Sequence, residues 1–445
     1  MNEYTPEYPS EYWDIALGAE RWIDSLRHDT EHGSMWGLAE EKPDTYVANL
    51  YTGSAGITIF YLELFDATGE TRYLERAEAG GEELLQRIQT YGTLPCAPMG
   101  GWLGYMFAFA ELGRRSSNPA FSKAAADCVQ RQRDQAEPAG AGIGWIQEMP
   151  YADLTGHSGT REIYDVAEGA AGAGLGFLYA HEHGVHEHAQ SWAEAVGERL
   201  LEVAEPAEGG LRWQLMDDIP WPFDAPNFAH GTAGVAYFLT RLFDACGDQR
   251  FLHAAIAGAG HVQAMAVPVG DGCLVPHILD DGKPDRFYLG VCHGPPGTAR
   301  LFYALSQATR DPQWMSWTKQ LNAGLFAMGA PEERGRGFWN NISQCCCDAG
   351  LGDHAIAMYR ITGEDKYLDL ARRVAAELKQ RALETAKGLS WPQAEHRSQP
   401  DFILAQTGYM QGAAGVGSFF VHLAMLQADK PAYIPFVDSP YGQLG

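Results

Sequence analysis

Three of the eight cysteines in this chain stand side by side at Cys345, Cys346 and Cys347, and a fourth, Cys292, sits beside His293 in YLGVCHGPPGTA. Eight cysteines in 445 residues are too sparse for a disulfide framework, and three in a row point to metal or redox chemistry. Thiolates suit zinc, and three protein ligands would leave a fourth coordination place for a substrate. The competing reading is packing, because a free cysteine fills a core like a small apolar residue. Two more residues bring acid–base chemistry: His230 in NFAHGTAG and Asp165 in YDVAEGAAG. An imidazole facing a metal is a candidate general acid, and a carboxylate nearby would orient it or hold polar groups of a substrate. Taken singly, each has a structural alternative as a satisfied core histidine or a helix cap.

A repeat relates these residues to one another. A G-x-x-G step followed by an apolar run begins at Gly53, Gly101, Gly169, Gly231, Gly294 and Gly412, with a further copy at Cys347 where cysteine replaces the first glycine. Cys292 and His293 lie immediately before the step at Gly294, and Cys345 and Cys346 take the same two places before Cys347. His230 directly precedes Gly231, as His293 precedes Gly294. Equivalent copies would put Cys292, Cys345 and Cys346 on one rim, close enough to share an ion, with Cys347 in the glycine slot. The register leaves two variants open, pairing of Cys346 with Cys347 and ligation by His293.

The elements that must position these groups follow from hydrophobic periodicity. Ahead of each step lies a Gly-rich, often Trp-bearing stretch (GSMWGL, YGTLPC, GIGWIQ, GGLRWQ, DGCLVP, GRGFWN, GLSWPQ) that suits a short hairpin or turn. Ahead of that lies a segment with apolar residues at helical spacing, such as DKYLDLARRVAAELKQRAL. The runs after each step, such as GITIFYLELF, are apolar nearly all round and belong to buried helices. Seven amphipathic and seven buried helices in alternation predict an all-α, double seven-helix α/α toroid with short β-hairpins or turns at one rim. We expect one toroid domain over residues 1–445, with a core of about 11–428 and a C-terminal tail at 429–445. Glycine would let the inner helices and their entering loops crowd near the axis. Inner-helix N-termini are expected to aim unpaired N–H groups at the rim that carries function.

At CHGPPG, the CCC-x-AG segment, AHGTAG and YDVAEGAAG the chain resembles the lanthionine synthetase C-like family, over nearly its whole length. The resemblance implies the double seven-helix toroid and a zinc ion held by Cys292, Cys345 and Cys346, the last standing where many members have histidine. It implies that His230 transfers a proton, that Asp165 lies near the metal, and that Arg286 is an approximate counterpart, upstream of strict register, of an arginine before the first zinc cysteine. The implied reaction is a Michael-type addition of a thiol to dehydroalanine or dehydrobutyrine, making a thioether in a peptide with dehydrated Ser/Thr and Cys. The chain leaves no room for a dehydratase domain, so a separate dehydratase is the expected partner. Other readings are addition of a small thiol such as glutathione, or a non-catalytic zinc-containing scaffold for a peptide. A toroidal carbohydrate-active enzyme is a fourth, encouraged by the Trp-rich turns and by Asp165 near Glu168, though it would need two opposed carboxylates and no zinc.

Charge narrows the partners. Lys+Arg 32 against Asp+Glu 57 gives a net charge of −25, which excludes a phosphate-tracking surface and hence nucleic acid. Such acidity fits either a salt-adapted source or an ordinary acidic protein. The N-terminus MNEYTPEYPSEYWD lacks the basic-then-apolar order of a secretory signal, and no apolar run reaches bilayer length, so a cytoplasmic protein with no membrane span is expected.

Overall fold

Helices of two kinds alternate along the chain. A computed structural model describes residues 11–148, 158–216, 225–277, 287–333, 341–396, 399–428 and 433–442. The outer set is α1 (Glu11–Asp24), α3 (Thr71–Arg87), α5 (Pro119–Asp134), α7 (Ala189–Glu202), α9 (Gln249–Ala264), α11 (Pro312–Ala327) and α13 (Asp365–Arg381). The inner set is α2 (Ser54–Thr68), α4 (Trp102–Arg115), α6 (Ala170–Glu182), α8 (Thr232–Cys246), α10 (Pro295–Thr309), α12 (Asp348–Thr362) and α14 (Ala413–Gln427). Outer helices bury one stripe, as α13 does with Tyr367, Leu370, Ala371, Val374 and Leu378. Inner helices are buried nearly all round over their first three turns, and α2 completely so from Ser54 to Leu64. Neighbouring inner helices pack in sequence, α14 closes on α2, and α1 backs α14, so the two rings of the expected toroid are complete.

The way five of the seven inner helices are entered corrects one expectation. Their first amides are not left unpaired toward the rim. The loop folds back so that carbonyls seven residues earlier accept them: Ser54 and Ala55 bond Val47 and Ala48, Ala170 and Ala171 bond Ile163 and Tyr164, and Ala413 and Ala414 bond Gln406 and Thr407. Glycine makes this fold-back possible, since a Cβ on Gly104 would stand 2.1 Å from the Pro98 carbonyl oxygen, and one on Gly297 1.9 Å from that of Val291. Close approach, rather than a bare helix terminus, explains the G-x-x-G repeat.

The same loops knit the rim together. In five of the seven copies the residue two before the helix cap donates its amide to the corresponding residue of the next copy: Ala167 to Ala229 at 3.0 Å, Ala229 to Cys292 at 2.8 Å, Cys292 to Cys345 at 3.2 Å, Cys345 to Met410 at 3.2 Å, and Met410 to Tyr51 at 2.8 Å. This belt converts equal sequence register into spatial adjacency.

Short antiparallel hairpins link outer to inner helices, among them 137–144, 205–212, 267–274 and 383–390. Their tryptophans are packing elements: the indoles of Trp145, Trp213 and Trp391 are buried and donate to the carbonyls of Gln132, Leu200 and Leu378 in the preceding outer helix. The YGTLPC stretch forms no strand, because the Gln135 side chain pairs with both the amide and the carbonyl of Leu94 in place of a partner strand. GRGFWN lies outside the described residues. No helix among the described residues is long and apolar enough to cross a membrane.

The segment 433–442 packs across the ring away from the rim. Ile434, Phe436, Val437 and Tyr441 are buried, the Ile434 amide donates to Glu63 at 3.2 Å, and Arg300 pairs with Asp438 at 2.8 Å. Between this segment and the rim lies an axial cavity of about 140 Å³, reached by Tyr51, Cys292 and Cys345 at one end and by His422, Phe436 and Val437 at the other.

Candidate metal centre

The belt delivers Cys292 and Cys345 side by side, and Cys346 follows on the same loop, its amide held by the Ser343 hydroxyl at 3.1 Å. The Cys292 sulfur lies 2.7 Å from that of Cys345 and 3.6 Å from that of Cys346. Neither is a disulfide, since all eight cysteines are free. Among the described residues these three sulfurs are the only group of three or more Cys, His, Asp or Glu ligand atoms lying within 4.8 Å of one another. Burial is partial, so the sulfurs combine a desolvated setting with access. The Cys292 and Cys346 thiols point at Cys345 and hold it well below the ordinary thiol range, while Cys292, giving its proton toward Cys345, is pushed well above. Three soft sulfurs gathered at one point fit a thiophilic divalent ion such as zinc.

Beside the sulfurs stands an acid–base pair. His230 Nδ1 meets Asp165 Oδ2 at 2.8 Å, with 22% of the imidazole side chain exposed and 1% of the carboxylate. The second Asp165 oxygen accepts the Glu168 amide at 2.7 Å, so this carboxylate both braces its loop and orients the histidine. Burial pulls the His230 imidazole down, but the hydrogen bond and charge of Asp165 outweigh it and the net shift is upward. His293 has a different setting. Its ring stacks edge-on against His277 at 4.3 Å and lies 5.3 Å from His230, and burial followed by the charges of those two histidines drives it well below the ordinary range, leaving it neutral.

The sequence comparison bears on this geometry. A family model described as lanthionine synthetase C-like protein matches residues 45–438, which include all of these groups. The chain belongs to the lanthionine synthetase C-like family. Among solved structures, nisin cyclase superposes on this family member with a TM-score of 0.62 at 13% identity, covering 97% of this chain and 96% of that one. An alpha-mannanase from Bacteroides thetaiotaomicron gives 0.51 at 13% identity, covering 94% and 97%. D-mannose isomerase gives 0.50 at 14% identity, covering 96% and 100%. At these identities the likeness is one of fold. The sugar-enzyme reading also loses its footing in the site, since the hairpin tryptophans are buried and Asp165 is committed to His230 and to the Glu168 amide.

Of the residues singled out in the sequence, Cys292, Cys345 and Cys346 come together and His230 pairs with Asp165. Cys347 does not join them. It is fully buried, caps α12, and directs its sulfur to Asp348 at 3.2 Å. Arg286 lies outside the described residues. Sequence reasoning passed over Tyr51 and Gln411, which contact the sulfurs from the other flank: Gln411 Nε2 lies 2.6 Å from the Tyr51 hydroxyl and 4.0 Å from the Cys346 sulfur. The signal was available, because Tyr51 stands two before Gly53 as Cys292 stands two before Gly294, and Gln411 directly precedes Gly412.

Proposed function

We propose that this chain is a zinc-dependent thioether-forming enzyme that adds a cysteine thiol of a peptide to a dehydroalanine or dehydrobutyrine residue. The observation that carries this reading is the convergence of the Cys292, Cys345 and Cys346 sulfurs beside a histidine oriented by a buried carboxylate, in a member of this family. Zinc held by the three cysteines would supply an open coordination place where a substrate thiol, ordinarily titrating near about 8.5, ionises at neutral pH.

The chain's own residues do the rest. The ionised sulfur attacks the β-carbon of the dehydroamino acid, a C–S bond forms, and the π electrons of the C=C bond move onto the adjoining carbonyl as an enolate. His230, kept protonated by Asp165, gives its proton to the α-carbon and regains from solvent the equivalent of the proton that the thiol released, which closes the balance. Hydrogen-bonded orientation fixes which imidazole nitrogen faces the reaction, because Nδ1 is committed to Asp165. The substrate is a peptide already dehydrated by a separate enzyme.

The test uses purified full-length protein, assayed for zinc and incubated with dehydrated, cysteine-containing peptides. Loss of free thiol with no change in peptide mass is the expected result, since ring closure is an isomerisation. A gain in mass equal to glutathione, when glutathione is present, would establish the small-thiol reaction instead. Unchanged thiol across several such peptides would overturn the proposal, and retained zinc without turnover would establish a scaffold.

A further inference from the structure

The sulfur cluster has two unlike flanks. On one side the copies at Gly169 and Gly231 bring Asp165 and His230. On the other, the copies at Gly412 and Gly53 bring Gln411 and Tyr51, which carry no charge but form a directed chain of hydrogen bonds. The chain starts at a backbone amide, so its direction is set. Ile342 N–H donates to Gln393 Oε1 at 3.1 Å, which makes the other end of that buried amide, Nε2, the donor to Gln411 Oε1 at 2.9 Å. Asn341 Nδ2 also approaches Gln411 Oε1, at 3.5 Å. With its oxygen thus occupied, Gln411 presents its NH2 to the Tyr51 oxygen at 2.6 Å and to the Cys346 sulfur at 4.0 Å. Tyr51, having accepted, keeps its own proton to give, and it lines the axial cavity together with Cys292 and Cys345.

We propose that Tyr51 and Gln411 are positioning residues that donate hydrogen bonds to two of the three sulfurs, draw off thiolate charge, and so set the electron richness of the metal centre. The proposal rests on the reading that the cluster holds a thiophilic metal. Its physical basis is charge. Three thiolates around a divalent ion already leave an anionic centre, and a substrate thiolate adds another negative charge. Donors to sulfur offset that excess, which a neutral third ligand such as histidine would not create. Tyr51 and Gln411 thereby accompany the cysteine at position 346.

The experiment replaces zinc by Co2+ in the full-length protein and records the sulfur-to-cobalt charge-transfer band in the near ultraviolet. In Tyr51→Phe and Gln411→Leu the band is expected at longer wavelength than in wild type, because sulfur stripped of a donor gives up electron density more easily. In the zinc-loaded protein, alkylation of the cluster by iodoacetamide should run about five- to tenfold faster in each variant, the scale of one ordinary net hydrogen bond. A shift in band position reports on the sulfurs themselves, which a merely structural role for Tyr51 would not move. A wild-type band that both variants leave in place, with unchanged alkylation, overturns the clamp alone. Absence of any thiolate–cobalt band in wild type removes the metal reading and the clamp with it.

Discussion

His230 and His422 are both hydrogen-bonded to carboxylates, and their surroundings differ in the respects that matter for chemistry. His230 lies on the rim beside the sulfurs, 22% exposed, with Nδ1 on Asp165. His422 lies within the ring, 3% exposed, with Nδ1 on Asp353 at 2.8 Å and Nε2 on Glu63 at 3.0 Å. Glu63 sits nine residues into α2, roughly 14 Å from its N-terminal end at the helical rise per residue. Both nitrogens of His422 are engaged by carboxylates, and Glu63 also accepts the Ile434 amide, so this imidazolium clamps inner helices to the C-terminal segment. The difference teaches that an imidazole–carboxylate contact is not in itself a catalytic signature. Location beside a reactive centre, with one nitrogen assigned to orientation, separates the working pair from the structural one.

Four substitutions would break or sharpen that contrast. The largest effect is expected from Cys292→Ala, which leaves two sulfurs: zinc per protein should fall toward zero in metal analysis, and thioether formation should drop at least about 1,000-fold. His230→Asn should keep its zinc while losing about 100- to 10,000-fold in rate, the span of a missing general acid. Loss of zinc together with rate would assign His230 to the metal site instead.

Asp165→Asn should cost less, about tenfold. It also carries a sign. Asp165 holds the His230 imidazole above its ordinary value, so a step that needs protonated His230 fails on the alkaline side, and removing the carboxylate should move that alkaline limb toward acid. A pH–rate profile unchanged in Asp165→Asn would contradict the assignment.

The smallest effect on turnover, less than about threefold, is expected for His422→Gln, yet this variant should lose about 3–5 kcal/mol of stability from breaking a buried ion triad. Burial opposes its charge, but Asp353 and Glu63 together lift its pKa to about 10. Its stabilisation is therefore complete below the unfolded imidazole value near 6.5 and is lost as pH rises through about 10. Thermal unfolding followed from pH 6 to 10 should slope downward in wild type, with a shallower slope in the variant. A steep loss of turnover at full stability would erase the distinction between the two histidines.

Much of this was legible in the residue order. The alternation of stripe-buried and fully buried helices, the seven-fold count, and the shared register of Cys292, Cys345 and His230 all lie in local pattern, because helical periodicity and glycine spacing are written in neighbouring residues. The purpose of the glycines, room for entering loops to press close, was legible in outline. Sequence shows that small residues are required but not what presses on them, and the fold-back carbonyls at Pro98 and Val291 are contacts made by the loop's path. Tyr51 and Gln411 stood in register too, yet neither residue type announces metal chemistry, and their role emerges only from a hydrogen-bond direction that begins at Ile342.

What the sequence by itself determined is the ring and the arc of its rim that carries sulfur and imidazole, since equivalent repeats must present equivalent positions. Register favoured Cys292, Cys345 and Cys346, and tertiary structure decided against the variant with Cys347, which has the same chemistry as its neighbours but is fully buried with its sulfur on Asp348 at 3.2 Å. It also decided that one histidine faces the sulfurs while another is locked between acids, for burial and partner count are properties of packed space and leave no mark on the order of residues.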